Sequence, residues 1–159
     1  VEGNAEYILM EKFFEMIHSK KPEDLNVSII SVDGLSFERY LEIATCFVDK
    51  KVVVITDNDS DYAGNVRSKY SSYQQFQNIK VSSDLDNDNR TFEICIYNNN
   101  KALLDSSSLT KSKNLPGYML REKAEFALRL LEQLETDNIS KKFIIPNYIK
   151  EAIEWIIKD

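Results

Sequence analysis

This 159-residue chain has few of the residues from which staples, linkers or simple acid-base sites are made: two cysteines, one histidine, three prolines and four glycines. So few glycines and prolines exclude collagen-like and low-complexity linker architectures. Cys46 and Cys95 lie far apart without CxxC spacing or a neighbouring histidine, and both are expected to be reduced and largely buried. His18, beside Lys20 and Lys21, suits a helix C-terminus and complements the dipole there; it does not read as a catalytic base. No apolar run approaches the roughly 18 residues of a membrane helix, so no membrane partner is expected. The first residues, Val1 to Glu6, lack the basic start and apolar stretch of a signal peptide, and the expected location is cytoplasmic. Basic excess is missing too. With 20 Lys and Arg against 26 Asp and Glu, a net charge of −6 excludes a grip on DNA through net charge. It does not exclude a nuclease, because carboxylates that hold divalent metal are themselves acidic and the metal then faces the phosphate.

Apolar residues make up 43% of the chain and charged residues 29%, enough to bury a core and too mixed for an acidic disordered tail. A single globular domain follows from the length. Asn4 to about Ser19 carries Ile8, Leu9, Phe13, Met16 and Ile17 at helical spacing, with Asn4 as the expected cap. Val27 to Val32 is β-branched and closed by Asp33-Gly34, as a strand would be. Ser36 should cap a helix whose face is Phe37, Tyr40, Leu41, Ala44 and Phe47. Val52 to Thr56 reads as a central parallel strand covered on both faces. Residues 57–90 are irregular, with a short helix near Gly64 to Tyr70. Thr91 to Tyr97 alternates like another strand, 103–115 like a loop or weak helix, and Tyr118 to Leu134 like one long helix. A final helix begins at Pro146, where Phe143, Tyr148 and Trp155 are expected to pack the core and not to stack on bases. The alternation predicts an α/β fold with right-handed crossovers and a parallel sheet. Only Val1 precedes the first helix, so the preceding strand is expected upstream, in a longer protein.

Sites in open α/β sheets lie beyond the carboxyl ends of strands. Glu2 follows the expected first strand, and Asp57 and Asp59 follow the third run, so the acids meet at one edge. Glu6 stands one helical turn from Glu2, where like charges repel unless a cation intervenes. Asp57-Asn58-Asp59-Ser60-Asp61 offers alternate carboxylates suited to oxygen-ligated Mg²⁺ or Mn²⁺. Each feature has an ordinary alternative. Asp57-Asn58 can simply end a strand, Glu6 can favour the helix dipole, and Lys123 can be a solvated helix lysine.

Val1-Glu2-Gly3 together with Ile55-Thr56-Asp57-Asn58-Asp59 resembles the Toprim motif, a strand-end Glu followed by Gly and then a strand-end DxD. Val-Glu-Gly-x-x-Glu, Val32-Asp33-Gly34-x-Ser36-Phe37, the DxD, the helix opening Lys123-Ala124-Glu125-Phe126-Ala127 and the tail Ile145 to Trp155 are similar to the OLD (overcoming lysogenization defect) family of ATP-dependent endonucleases. The resemblance spans nearly the whole chain. It implies a Toprim-like, compact Rossmann-type α/β domain with a mainly parallel central sheet flanked by helices, spanning 1–159 and following an ABC-type ATPase domain in the same polypeptide. The implied activity is two-metal DNA endonuclease chemistry in phage defence. By the same resemblance Glu2, Asp57 and Asp59 hold one ion and Glu6 and Glu93 with Thr91 hold the second, while Asp61 either binds through water or is a solvated loop residue. Lys123 is implied to contact the scissile phosphate or to stabilise the developing charge, and the residues themselves offer Lys111, Lys113, Arg121 and Lys123 as a basic patch expected to receive the DNA backbone. The cofactors implied are two Mg²⁺ or Mn²⁺ ions, with ATP used only at a domain absent from this chain. The partners are DNA and the ATPase domain, with a homo-oligomer left open.

Two rival functions fit parts of the pattern. A haloacid-dehalogenase-like phosphatase also ends an apolar strand in DxD, but it needs a further acidic pair after a later strand, and none follows Glu93. A non-catalytic metal- or DNA-binding assembly module needs only the ligands. Tyr70 and Tyr73 lack the surroundings of a topoisomerase nucleophile.

Overall fold

In the computed structural model, which describes residues 1–34, 36–110, 112–136 and 138–158, strand β1 (Val52–Ile55) separates two apolar cores. Successive strand residues point to opposite faces. Accordingly Ile55 enters the larger core with Leu9, Phe13, Phe92, Ile96, Phe126, Leu130 and Ile149, while Val54 enters a smaller one with Val32, Phe37, Leu41, Val66, Tyr70 and Ile79. Burial on both faces is what an uninterrupted apolar run requires. β1 pairs in parallel with β2 (Ile79–Ser82), Val52 opposite Ile79 and Ile55 opposite Ser82. The connection between them carries a seven-residue π-helical turn, Tyr62–Ser68, overlapping the predicted short helix. The described architecture is thus α/β, a two-stranded parallel sheet flanked by helices, consistent with a Toprim-like fold.

Helix α1 (Asn4–His18) packs on α5 (Lys123–Thr136) through Leu9, Phe13, Phe126 and Leu130. Its cap is Gly3, one residue before the expected Asn4. Helix α2 (Phe37–Ala44) is capped as expected: the Ser36 hydroxyl accepts from the Glu38 amide at 3.2 Å. It ends before Phe47, which is exposed beside Val48, and Cys46 is exposed as well; only Cys95 is buried. Phe143, before α6 (Asn147–Ile156), and Tyr148, in its first turn, are core residues, and Trp155 is half-buried beneath the Lys51 ammonium.

Three expectations give way to tertiary structure. The run 91–97 is helix α3 (Phe92–Asp105), because Phe92, Cys95, Ile96 and Leu104 present a helical stripe to the core and Thr91 caps the first turn. Burial at period 3.6 overrides β-branched propensity. Asn99 and Asn100 remain in the helix by donating to the Cys95 and Ile96 carbonyls at 2.9 and 3.0 Å, and Asn100 sits at a kink. The predicted strand 27–32 is extended chain that makes one rung with Val1, whose nitrogen donates to the Ile30 carbonyl (2.8 Å) while Val32 donates to Val1 (3.0 Å). The alternation is that of a parallel ladder, but a single rung does not make a regular strand. Finally, the long helix divides at Glu122 (φ −115°, ψ 49°) into α4 (Leu115–Arg121) and α5.

Candidate metal centre

Four elements converge at the carboxyl end of β1. Glu2 precedes the Gly3 cap of α1, and one of its oxygens accepts from the Thr56 hydroxyl (3.1 Å) and the Asp57 amide (3.3 Å). These bonds tie the start of the chain to the strand end. Asp57 accepts from the Phe92 amide at 2.7 Å, in the first turn of α3. Glu6 and Glu93, in the first turns of α1 and α3, are 6% and 0% exposed. Lys123 opens α5, where a cation opposes the helix dipole. Its position is accounted for by Glu93, whose carboxylate lies 3.2 Å from the ammonium.

The charges are unbalanced, since four carboxylates face the Lys123 ammonium and the Val1 amino group, whose pKa burial lowers against the pull of Glu6 and Glu2. Burial lifts the Asp57 carboxyl to about 8, and Glu2, Glu6 and Glu93 add to the rise against the Phe92 amide. Burial also raises Glu6; its own backbone amide and Lys123 oppose the rise, whereas Glu93 and Glu2 reinforce it. Lys123 loses solvation, which favours its neutral form, but Glu93, Asp57 and Glu6 outweigh this and raise its pKa. Like charges crowded in a low-dielectric setting hold protons until a cation replaces them.

The donor set fits a divalent cation. All candidate ligands are oxygens, as Mg²⁺ and Mn²⁺ prefer. Both Glu93 oxygens are buried without an aligned hydrogen-bond donor, the Lys123 contact being an ion pair only. A buried carboxylate in that condition is costly unless something positive binds it. No three His, Cys, Asp or Glu side chains among the described residues converge as a ready-made metal site.

The remaining candidates surround this cluster. Asp59 is exposed in left-handed backbone (φ 49°), and its amide donates to the Arg90 carbonyl at 3.0 Å. The Asp61 carboxylate accepts from the Gly64 amide at 3.0 Å and caps the π-helical turn. Thr91 caps α3 with its hydroxyl, adjacent to the Phe92 amide that serves Asp57. Arg121 is exposed and paired with Glu122 at 3.0 Å. Lys113 lies in the loop beyond the far end of α3, lining a groove of about 600 Å³ with Asp105 and Ser112. Lys111 lies outside the described residues. The structure therefore brings Glu2, Glu6, Asp57, Glu93 and Lys123 together, whereas Arg121 pairs with Glu122 and Lys113 makes no ion pair with these carboxylates among the described residues.

Sequence reasoning overlooked Asn58, the middle residue of the DxD. It is 1% exposed; its amide donates to the Asp84 and Asp86 carbonyls, both at 2.9 Å, and accepts from Ser60 at 2.9 Å. It fixes the loop that carries Asp57 and Asp59. Thr56, which binds Glu2, was also overlooked. Neither has a sequence signal beyond its place next to Asp57.

A family model described as "Overcoming lysogenization defect protein-like, TOPRIM domain" matches residues 1–59. Over this stretch, less than half of the chain, the sequence is similar to OLD-like Toprim domains. It contains Glu2, Glu6, Asp57 and Asp59, whereas Glu93 and Lys123 lie beyond the match. Toprim domains typically act on nucleic acid and bind divalent metal, so the match points to a nuclease-type module. Comparisons with curated proteins and with solved structures return no match.

Proposed function

We propose that this chain is a Toprim-type DNA endonuclease module that hydrolyses phosphodiester bonds with two divalent ions, Mg²⁺ or Mn²⁺. The observation that carries the reading is Glu93, wholly buried with unaligned oxygens in a cluster of four carboxylates, where Lys123 is the cation paired with it. Glu2, Asp57 and Asp59 would hold one ion; Glu6 and Glu93, with Thr91, the other; Asp61 would act through water. Bound ions would supply Lewis-acid polarisation of the phosphate and a nucleophilic water near neutral pH.

The chain's own groups do the rest. Glu2 keeps its orientation through Thr56 and the Asp57 amide, and Asp57 through the Phe92 amide. Lys123, half exposed and held in its charged form, contacts the scissile phosphate and offsets charge that grows there during cleavage. Arg121, Lys113 and Lys111 would steer the DNA backbone towards the centre.

In this reading the whole of 1–159 is one Toprim domain of Rossmann type. It works in the cytoplasm after an ABC-type ATPase domain of the same polypeptide, where ATP is consumed, and serves phage defence. The assay is nicking of supercoiled plasmid with Mn²⁺ or Mg²⁺ and without ATP. Activity that EDTA abolishes and that Glu6→Ala and Asp57→Ala eliminate is expected. Full rates in those variants would sink the metal assignment. A non-catalytic metal- or DNA-binding module has one observation in its favour, the lack of a converged triplet of ligands among the described residues. It predicts DNA binding with no nicking under any ion.

A further inference from the structure

Beside the centre, a cavity of about 350 Å³ is lined by Ser60, Asn87, Asp88, Arg90 and Ile94. Two connections join it to the cluster. Ser60 follows Asp59 in left-handed backbone (φ 66°), and Arg90 receives the Asp59 amide on its carbonyl while directly preceding Thr91, the cap of α3. Its lining is chemically mixed. Arg90 is exposed and forms no ion pair among the described residues, although Asp86 and Asp88 are close in sequence. The Asn87 carbonyl oxygen accepts from the Tyr62 amide at 2.9 Å, which sets the orientation of the side chain; its amide nitrogen makes no hydrogen bond among the described residues. Asp88 offers an acceptor, and Ile94 an apolar wall on the first turn of α3.

A planar donor fork, a free amide, an acceptor and an apolar wall match the parts of one nucleotide: phosphate, polar base edge and ring face. The volume lies at the lower end of small-ligand sites. We propose that this cavity is a nucleotide subsite, in which Arg90 holds the phosphodiester next to the one positioned at the metal centre. The proposal rests on the nuclease reading for the course of the strand. Asp59, Asp86 and Asp88 would repel phosphate in the ion-free protein, so occupancy requires a divalent cation. Arg90 is a positioning residue, because it acts on the neighbouring phosphate and not on the reacting atoms.

The test uses the oligonucleotide (dT)₄ with Ca²⁺, followed by fluorescence anisotropy and by amide shifts of the ¹⁵N-labelled chain. Shifts at Ser60, Asn87 and Ile94 are expected. Arg90→Ala should weaken binding about tenfold or more, and Arg90→Lys should recover part of the loss. The thermal shift produced by Mn²⁺ alone should be unchanged in both variants. Wild-type affinity in Arg90→Ala, shifts confined to other regions, or dTMP binding as tightly as (dT)₄ would overturn the subsite. If (dT)₄ binds here but no ion supports cleavage, the nuclease reading fails and the subsite stands. If Arg90→Ala cleaves DNA with an unchanged KM, the subsite fails and the nuclease reading stands.

Discussion

Replacing Asp57 by Asn should make the ion-free protein more stable at pH 8 while removing its response to metal. Asp57 titrates near 3.8 in an unfolded chain and near 8 in this cluster, with burial as the main cause and Glu2, Glu6 and Glu93 behind it. The folded state therefore holds the proton more tightly. The stability this confers is complete below about pH 4 and is lost as pH rises through 8. At about 1.36 kcal/mol per tenfold, the ceiling is roughly 6 kcal/mol; water access and relaxation reduce it to about 3 kcal/mol. Glu6, raised in the same direction, steepens the decline. Asparagine keeps an oxygen for the Phe92 amide, at 2.7 Å in the parent, and carries no charge, so only the hydrogen bond weakens, by about 1 kcal/mol. The net expectation is a gain of about 2 kcal/mol at pH 8 and a small loss at pH 5. Urea denaturation in EDTA between pH 5 and 8.5 would measure it. Parallel pH profiles for parent and variant, or an Asp57→Asn protein less stable at pH 8, would refute the reasoning from crowded carboxylates.

The other expectations use the same cluster. Mn²⁺ should raise the melting temperature more at pH 8 than at pH 6, because bound protons must leave before the ion enters; Glu93→Gln should reduce the shift sharply, and an unchanged shift would remove Glu93 from the ligand set. Lys123→Ala should lower plasmid nicking about a hundredfold while leaving the Mn²⁺ shift in place, and Lys123→Arg should rescue only in part; cleavage at the parental rate would return Lys123 to the solvated surface. Asn58→Ala leaves the partly buried Asp84 and Asp86 carbonyls without their donor and should cost about 1–2 kcal/mol, read by urea denaturation, with a cost below about 0.5 kcal/mol counting against its role in fixing the loop.

The centre was more legible in the sequence than the elements around it. Glu2, Glu6 and Asp57 are local to two elements readable directly from the sequence, the amphipathic α1 and the apolar β1, so the sheet-edge rule brings them together without long-range information. Glu93 and Lys123 entered through family resemblance alone. Their meeting depends on α3 being a helix, whereas the alternation of 91–97 points to a strand; only the core that receives Phe92, Cys95, Ile96 and Leu104 decides between the two. β2 was missed because four residues, two of them polar, are too few to show a period. The break at Glu122 carries no Gly or Pro to signal it, yet it sets Lys123 at a helix start within reach of Glu93. Asn58 and Arg90 depend on loop partners 26 residues or more away in the chain, and no local pattern encodes them.

Anomalous diffraction from crystals soaked in Mn²⁺ at pH 8 is the most direct test of the metal centre. Peaks within coordinating distance of Asp57 and Glu93, with the Lys123 ammonium moved away from Glu93, are the predicted result; at saturating Mn²⁺, no peak among Glu2, Glu6, Asp57 and Glu93 would contradict the metal assignment.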